Sequence, residues 1–205
     1  QYEVDFNELE KRLSGKEKIV IFCSPHNPGG KIWSKETLVT LAEFSKKNNL
    51  LIFMDEIHHD LTYPDKAHTT FLKAAPVAEE ISLIFTAATK TFNIAGCHTG
   101  TTIIPNPKLR SIYDQEHAAI GKTPNRFGMI MTEVAYREGK EWLDQLMLYL
   151  ENNKNIFTTS LRSLNEVKVF DLESTYLVWV DFSNLRINQA ELENMLVKEA
   201  GVAPS

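Results

Sequence analysis

Three short, largely apolar runs separated by helix-like segments place the strongest constraint on the fold of this chain. They cover residues 18–23, 50–54 and 81–85, and a further apolar run, 101–104, follows them. Runs of this length are typical of strands that are buried on both faces of a parallel sheet. Residues 34–49, between the first two runs, have the apolar spacing of a helix. This strand–helix–strand order predicts an α/β fold with a largely parallel sheet.

The second half of the chain is predicted to be helical at first and mixed later. Helices are expected at 107–119, 125–138 and 141–164 with a break at 121–124, then strands at 167–170 and 176–182 and a helix at 189–200. The composition changes after the long helix, which indicates a domain boundary. We therefore predict that residues 1–150 belong to a large α/β domain. Residues 151–205 would form a bridging helix and the beginning of a smaller α+β C-terminal domain.

Charge and composition exclude several classes of partner. The 205 residues carry a net charge of −5 without any dense run of lysine and arginine, which argues against nucleic acid and anionic membranes. No window approaches the ~18 consecutive apolar residues of a membrane span. Cys23 and Cys97 lie in apolar or small-residue contexts and do not indicate a disulfide framework. A reducing compartment, and hence a cytoplasmic location, is predicted.

A lone lysine stands in an unusual position between two predicted strands. Lys90 lies in the stretch 86–96, which is expected to form a small-residue loop between the runs 81–85 and 101–104. Burying an ammonium group is costly unless another group compensates for it. A lysine kept in such a place often serves as a nucleophile or a Schiff-base amine. A solvated lysine on the loop is the alternative, and this stretch alone leaves both open.

Two other polar residues follow predicted strands in the same way. Asn27 and Asp55, like Lys90, come just after a strand, and ligands of open α/β sheets bind at the carboxyl ends of the strands. One crevice would then contain an amide, a carboxylate and an amine. An aromatic aldehyde cofactor needs an amine for an imine, a carboxylate to keep its ring nitrogen protonated, and a donor to its phenolate oxygen. These are the requirements of pyridoxal phosphate.

The motifs around these residues are similar to those of a known family. SPHNPGG at 24–30, DEIH at 55–58, TKTFNIAG at 89–96 and NRFG at 125–128 resemble the class I/II aminotransferase superfamily, of pyridoxal phosphate fold type I. More narrowly, they resemble its cystathionine β-lyase branch, the MalY/PatB C–S lyases, and TYLVWVD at 175–181 strengthens that likeness. The resemblance covers essentially the whole chain. It implies a three-layer αβα cofactor-binding large domain with a mostly parallel mixed sheet.

The resemblance also implies a role for each polar residue. Lys90 would bond to the cofactor and later move the Cα proton of the substrate. Asp55 would pair with the protonated pyridine nitrogen, and Asn27 would donate to the phenolate oxygen. His58 occupies a position where many aminotransferases have a tyrosine that contacts the same oxygen, and histidine there is the pattern of the lyase branch.

Structural alternatives remain for the same side chains. Asp55 could be a helix-cap carboxylate, Asn27 could form an Asx-turn, and His58 could be a core histidine satisfied by the backbone. The adjacent His58 and His59 do not favour a metal site, because neighbouring side chains diverge and no third ligand is spaced for zinc.

The motifs account for only some of the groups that would bind the cofactor phosphate. Thr89 precedes the lysine and would donate its hydroxyl to the cofactor phosphate, and Thr86 would assist it. Ala87 and His98 stand where aspartate aminotransferases have a serine and a phosphate-binding arginine. This departure argues against the aspartate aminotransferase subgroup.

Parts of the family's site are expected outside this chain. The chain opens on Gln1 instead of methionine, and we expect it to be a central piece of a longer protein. The family's phosphate loop and ring-stacking aromatic residue would precede Gln1, and its substrate-carboxylate arginine would follow Ser205. The resemblance also implies a homodimer in the full-length protein, and we expect the 205 residues alone to be inactive or nearly so.

The function implied by the resemblance is that of a pyridoxal-phosphate-dependent C–S β-lyase. Its amino-acid substrate would be L-cystathionine or an L-cysteine-type compound, and its products a thiol, pyruvate and ammonia. A class I/II aminotransferase that uses an amino acid and a keto acid is the nearer alternative. A regulatory protein-binding module on the same fold is the more distant one, and it would leave Lys90 dispensable.

Overall fold

The computed structural model describes residues 2–121 and 123–204 of the chain. Its main sheet has the order β1-β2-β3-β4. β1 (Ile19–Cys23), β2 (Leu51–Asp55) and β3 (Ser82–Thr86) run parallel, and β4 (Thr101–Ile103) pairs antiparallel with β3. The α/β class and the mostly parallel, mixed sheet predicted from the sequence are confirmed.

One face of this sheet is covered by the helices of the first half of the chain. These helices are α1 (Phe6–Arg12), α2 (Lys35–Lys47) and α3 (Phe71–Ala74), and a 3₁₀ turn, Pro76–Glu80, leads from α3 to β3. α2 begins at Ser34, whose hydroxyl accepts a hydrogen bond from the Thr37 amide, and such a cap satisfies an amide that the helix itself cannot. The core between α2 and the sheet consists of apolar side chains that include Phe22, Leu38, Leu41, Ile52, Met54, Phe71 and Ile84.

The exposure of β1 on the sheet face away from α2 differs from the prediction. The run 18–23 was expected to be buried on both faces, but Ile19 is 45% exposed and Ile21 is 77% exposed, whereas the alternate residue Phe22 is buried. Successive side chains of a strand point to opposite faces, so one face of β1 packs on the core and the other does not. An apolar run predicts a strand, but it does not show what covers each face of it.

Lys90 lies on a short helix and not on the loop that was predicted. α4 (Ala88–Thr91) directly follows β3, and a 3₁₀ turn, Ala95–Cys97, leads from it towards β4. Within α4, Ala88 and Thr91 are fully buried, and residues three apart share one face of a helix. That buried face leaves Thr89 and Lys90 on the other side of α4.

Three longer helices follow β4, close to the predicted bounds. They are α5 (Pro107–Ile120), α6 (Arg126–Glu138) and α7 (Lys140–Arg162). Asn106 and Asn125 cap α5 and α6 through their side-chain oxygens. Gly121 ends α5 with a φ of 67°, a conformation that glycine adopts readily. The predicted break at 121–124 includes Lys122, which lies outside the described residues.

The end of the chain contains a small antiparallel pair, β5 (Lys168–Val169) with β6 (Val180–Asp181). Both strands are shorter than predicted, and residues 176–179, which were predicted to belong to the second strand, line a cavity. α8 (Gln189–Asn194) continues as a π-helical segment, Met195–Glu199. α7 runs through the predicted boundary at residue 150, and the division into residues 1–150 and 151–205 stays a prediction.

Hydrogen bonds join the segment 172–175 to the first part of the chain. The Gly30 carbonyl accepts from the amides of Glu173 and Ser174 at 2.8 and 3.0 Å, and the Leu61 carbonyl accepts from the Thr175 amide at 2.8 Å. Gly30 has a φ of 62°, which glycine adopts without strain, and a Cβ there would lie 2.2 Å from Leu172 Cδ1. Among the described residues, no helix is long and apolar enough to cross a membrane.

The packing of α2 gives a first prediction. Leu41 is 1% exposed in the core, so Leu41→Ala should lower the free energy of unfolding by about 2–5 kcal/mol through lost burial and the cavity left behind. Leu148 on α7 is 64% exposed, and Leu148→Ala is the matched control, with an expected change within about 0.5 kcal/mol. Urea denaturation followed by circular dichroism measures both, and equal losses would contradict the packing described here.

Candidate active site

The three parallel strands bring the predicted site residues to one edge of the sheet. Cys23 at the end of β1 is in register with Asp55 at the end of β2. The loop that carries Asn27 follows β1, and α4, which carries Lys90, follows β3. The carboxyl ends of parallel strands form the crevice in which α/β proteins bind ligands.

Asn27 and His58 contact each other across this crevice. Asn27 Nδ2 lies 3.4 Å from His58 Nε2. Because an amide nitrogen only donates, Nε2 must accept, and the ring proton of neutral His58 then resides on Nδ1. His58 is 1% exposed, and its Nδ1 has no hydrogen-bond partner among the described residues. The alternative of a core histidine satisfied by the backbone is therefore not what the structure shows.

The charges of the site act on His58. Burial is the main cause that lowers the pKa of His58 from its usual 6.5, the Lys90 ammonium lowers it further, and the Asp55 carboxylate opposes the shift. A lowered pKa favours the neutral imidazole near neutral pH. The ring also packs edge-on against Tyr176, with ring centroids 5.8 Å apart, and this contact orients it.

Asp55 is held by hydrogen bonds and not by a cation. Its Oδ1 accepts from the Ile57 amide at 3.1 Å, and its Oδ2 lies 3.8 Å from Cys23 Sγ. Burial, reinforced by Asp55, raises the pKa of Cys23 to about 11, although the nearby Asn27 backbone opposes the shift. The sulfur therefore remains a thiol that can donate. No ion pair of Asp55 is found within residues 2–121 and 123–204, so the carboxylate can pair with a cationic ligand.

The Lys90 side chain opens onto a cavity of about 250 Å³. Thr89, Lys90, Asn93, Trp142, Leu146 and Tyr176 are among the residues that line it. In the part of the chain that the structure describes, no carboxylate forms an ion pair with the Lys90 ammonium. An amine at a cavity, a carboxylate and a buried imidazole on which both act, none of them in an ion pair with another described residue, form a donor set that fits pyridoxal phosphate.

The two threonines of the predicted phosphate site have different surroundings. Thr89 lines the cavity beside Lys90. Thr86 Oγ1 lies 3.1 Å from His59 Nδ1, so its hydroxyl already has one partner. The roles of Asn27, Asp55, His58, Thr86, Thr89 and Lys90 in cofactor binding stay predictions. No group of three or more metal-ligating side chains was found among the described residues.

Tyr176 is a site residue that the sequence did not single out. It lines the Lys90 cavity and also a larger one of about 660 Å³, bordered by Asn27, Tyr63, Phe157 and Trp179. Residues 172–175 hold it there through their hydrogen bonds to Gly30 and Leu61. The pattern of residues around Tyr176 resembled only a strand, and no local signal could have predicted its contact with His58.

Comparison with known families and structures identifies the fold and the family of the chain. The sequence model of the family described as "Aminotransferase class I and II" matches residues 1–204. The chain belongs to this family. Cystathionine β-lyase PatB of Bacillus subtilis is 36% identical to it over 205 residues, which is 98% of this chain and 53% of PatB. The resemblance to this family predicted from the motifs is confirmed.

Two solved structures of the same fold hold the expected cofactor. Cystalysin from Treponema denticola, which contains pyridoxal 5′-phosphate, matches with a TM-score of 0.92 and 33% identity, over 98% of this chain and 52% of cystalysin. The PLP-bound C–S lyase from Staphylococcus hominis matches with a TM-score of 0.88 and 34% identity, over 98% of this chain and 53% of the lyase. The chain thus spans about half the length of these relatives.

The lowered pKa of His58 predicts a pH-dependent stability. Below pH 6.5 the unfolded chain binds a proton at His58 that the folded chain does not, so the free energy of unfolding falls as the pH falls through 6.5. His58→Gln should make this fall shallower. Urea denaturation at pH 5, 6, 7 and 8 measures it, with His117→Gln at an exposed position as the control. An unchanged slope in His58→Gln would contradict the buried, neutral imidazole.

Proposed function

We propose that the full-length protein carrying this chain is a pyridoxal-phosphate-dependent C–S β-lyase. It would cleave L-cystathionine or L-cysteine-type substrates to a thiol, pyruvate and ammonia. The observation that carries the proposal is the Lys90 side chain at a cavity, without an ion pair among the described residues, while the Lys90 ammonium and the Asp55 carboxylate both act on the buried imidazole of His58. The similarity to PatB, cystalysin and the S. hominis lyase supports it.

Each residue of the crevice has a definite task in this reaction. Pyridoxal phosphate, when bound, supplies an electron sink for the pair of electrons left at the substrate Cα. Lys90 Nζ would hold the cofactor and, after release from it, take the Cα proton of the substrate. A positioned proton-transfer group of this kind typically contributes about 10²–10⁴-fold. The Asp55 carboxylate would keep a proton at the ring nitrogen, where positive charge favours the reaction.

Asn27 and His58 would fix the orientation of the ring. Asn27 Nδ2 would donate to the phenolate oxygen, and its contact with His58 Nε2 limits the positions that the amide can take. Because His58 Nδ1 has no partner among the described residues, it can serve as a second donor on this side of the site. Thr89, at the same cavity as Lys90, would donate its hydroxyl to the phosphate, assisted by Thr86.

The walls of the cavity would limit the access of water to Lys90. Trp142, Leu146 and Leu150 supply apolar surface on one side, and the ring of Tyr176 lies on the other. An amine in such surroundings interacts more strongly with nearby charges than it would in water. A reactive intermediate would also be protected from unwanted hydrolysis.

An aminotransferase is the second candidate function. The matching family model is described as that of class I and II aminotransferases, and transamination would use the same Lys90, Asp55 and Asn27. The two reactions differ after Cα deprotonation. In the lyase a thiol would leave from Cβ, whereas in the aminotransferase the Cβ substituent would stay and the amino group would pass to a keto acid. Full-length protein given L-cystathionine should release pyruvate without added keto acid. Amino transfer that requires a keto acid and releases no pyruvate would favour the aminotransferase.

The proposal also includes the oligomeric state, the location and the domain division of the protein. We propose a homodimer, a cytoplasmic location and a division of the chain at residue 150 between the large domain and the beginning of the small one. Light scattering coupled to gel filtration measures the oligomeric state of the full-length protein. A monomer at micromolar concentration would contradict the dimer without affecting the assignment of Lys90.

The role of Lys90 leads to a direct prediction. After incubation with pyridoxal phosphate and reduction with borohydride, the full-length protein should carry one pyridoxyl group, located by peptide mass on Lys90. Lys90→Ala should lose this adduct, and pyruvate release should fall by at least about 10²-fold.

The matched control for this experiment is Lys108→Ala, on α5 and away from the cavity, which should retain both adduct and activity. Absence of a selective adduct from the unsubstituted protein would contradict the cofactor assignment. A biological effect that survives in Lys90→Ala would favour the regulatory binding module over the enzyme.

A further inference from the structure

α4 is too short to fix the direction of Lys90 by its own hydrogen bonds. The helix has four residues, Ala88–Thr91, and isolated helices of this length are not stable in water. The orientation of Lys90 must therefore come from side chains that hold α4 against the rest of the domain. The buried face of α4, formed by Ala88 and Thr91, is where these contacts occur.

The Asp60 carboxylate accepts a hydrogen bond from the hydroxyl of Thr91, the residue that follows Lys90. Thr91 Oγ1 donates to Asp60 Oδ2 at 2.9 Å, and Tyr136 on α6 donates to the same oxygen at 3.3 Å. The other oxygen, Oδ1, lies 3.2 Å from His59 Nε2. Asp60 follows β2 by five residues and belongs to the same turn as His58. The turn that carries one side of the site is thus joined to the helix that carries the other side.

The surroundings of Asp60 hold the carboxylate in place. The ring of His59 is fixed at its Nδ1 by the Glu56 carbonyl at 2.7 Å and by Thr86 Oγ1 at 3.1 Å. Burial, with a further contribution from the Asp60 carboxylate, raises the pKa of Tyr136 to about 12, so its hydroxyl remains a donor. A hydrogen bond to an ionised acceptor is stronger than one between neutral groups.

The ring of Tyr136 also contacts Phe92, the residue that directly follows α4. It packs edge-on against Phe92 with centroids 5.5 Å apart, and Phe92 packs on Trp142 at 5.9 Å. Gly139 leaves room for Phe92, because a Cβ there would lie 2.5 Å from Phe92 Cε1. The two residues that follow Lys90, Thr91 and Phe92, are therefore both held by contacts, whereas Lys90 itself lines the cavity.

We infer that Asp60 is a positioning residue, which orients the Lys90 amine by anchoring α4 through the Thr91 hydroxyl. Asp60 lines neither the Lys90 cavity nor the larger one, and its action on Lys90 runs through the Thr91 hydroxyl. The inference rests on the proposed function, because an oriented amine matters only if Lys90 reacts. A displacement of a reacting group by about 1 Å can cost on the order of 10²-fold in rate.

The test compares substitutions at both ends of the Asp60–Thr91 contact in the full-length protein. Asp60→Asn removes the negative charge of the acceptor, so the hydrogen bonds from the Thr91 and Tyr136 hydroxyls become neutral ones, which are weaker. Thr91→Val removes the hydroxyl with little change of shape, and Thr91→Ser keeps it. Asp65→Asn, an exposed aspartate whose carboxylate lies 4.0 Å from Lys66, is the matched control.

The first measurement needs no cofactor. In hydrogen exchange followed by mass spectrometry, the amides of residues 88–92 should exchange about 10-fold faster in Asp60→Asn and Thr91→Val, which is the effect of losing one charge-assisted hydrogen bond. Thr91→Ser and Asp65→Asn should match the unsubstituted protein. Equal exchange in all variants would overturn the anchoring role of Asp60, whatever the protein catalyses.

The second measurement links anchoring to Lys90. At a limiting concentration of pyridoxal phosphate, borohydride should trap several-fold less adduct on Lys90 in Asp60→Asn and Thr91→Val, and Thr91→Ser should restore it. Faster exchange with an unchanged adduct would overturn the positioning role. If the unsubstituted protein forms no adduct, the proposed function fails. The exchange experiment tests the anchoring role of Asp60 separately, so the two failures can be told apart.

Discussion

The parallel pairing of β1, β2 and β3 is the constraint on which the candidate site depends. Because the three strands end at the same level, Cys23 and Asp55 lie opposite each other, and the segments that follow each strand meet in one crevice. Asn27, Asp55 and Lys90 lie on three different segments of the chain, and only the parallel sheet brings these segments to one edge. The core between α2 and the sheet keeps the strands in this register, so its packing also determines the geometry of the crevice.

Much of this arrangement could be predicted from the sequence. The apolar runs, the helical spacing and the break at 121–124 are local signals, and the elements they predicted mostly lie within a few residues of the observed ones. The position of Asn27, Asp55 and Lys90 after successive strands predicted a common crevice, because that consequence of parallel topology needs no side-chain detail. The roles of the individual residues came from the resemblance to the family.

The remainder depended on contacts between distant parts of the chain. The exposed face of β1, the short helix at Lys90 and the irregular course of residues 176–179 result from which neighbours are present, and a local pattern contains no information about them. The same holds for Tyr176 beside His58 and for Asp60 beside Thr91. His59 illustrates the limit well, because the sequence placed it beside His58, whereas its ring serves Thr86 and Asp60.

The hydrogen bonds of residues 172–175 have a consequence for the order of folding. They join residues more than 100 positions apart, such as Ile32 with Glu173 and Tyr63 with Thr175. Contacts so distant along the chain require closure of a large loop and are formed slowly. During synthesis, the sheet and α2 can be completed early, but Tyr176 reaches His58 only after the ribosome has released residue 176. Of the parts of the crevice that this chain supplies, the wall at Tyr176 therefore assembles after the sheet edge that carries Asp55.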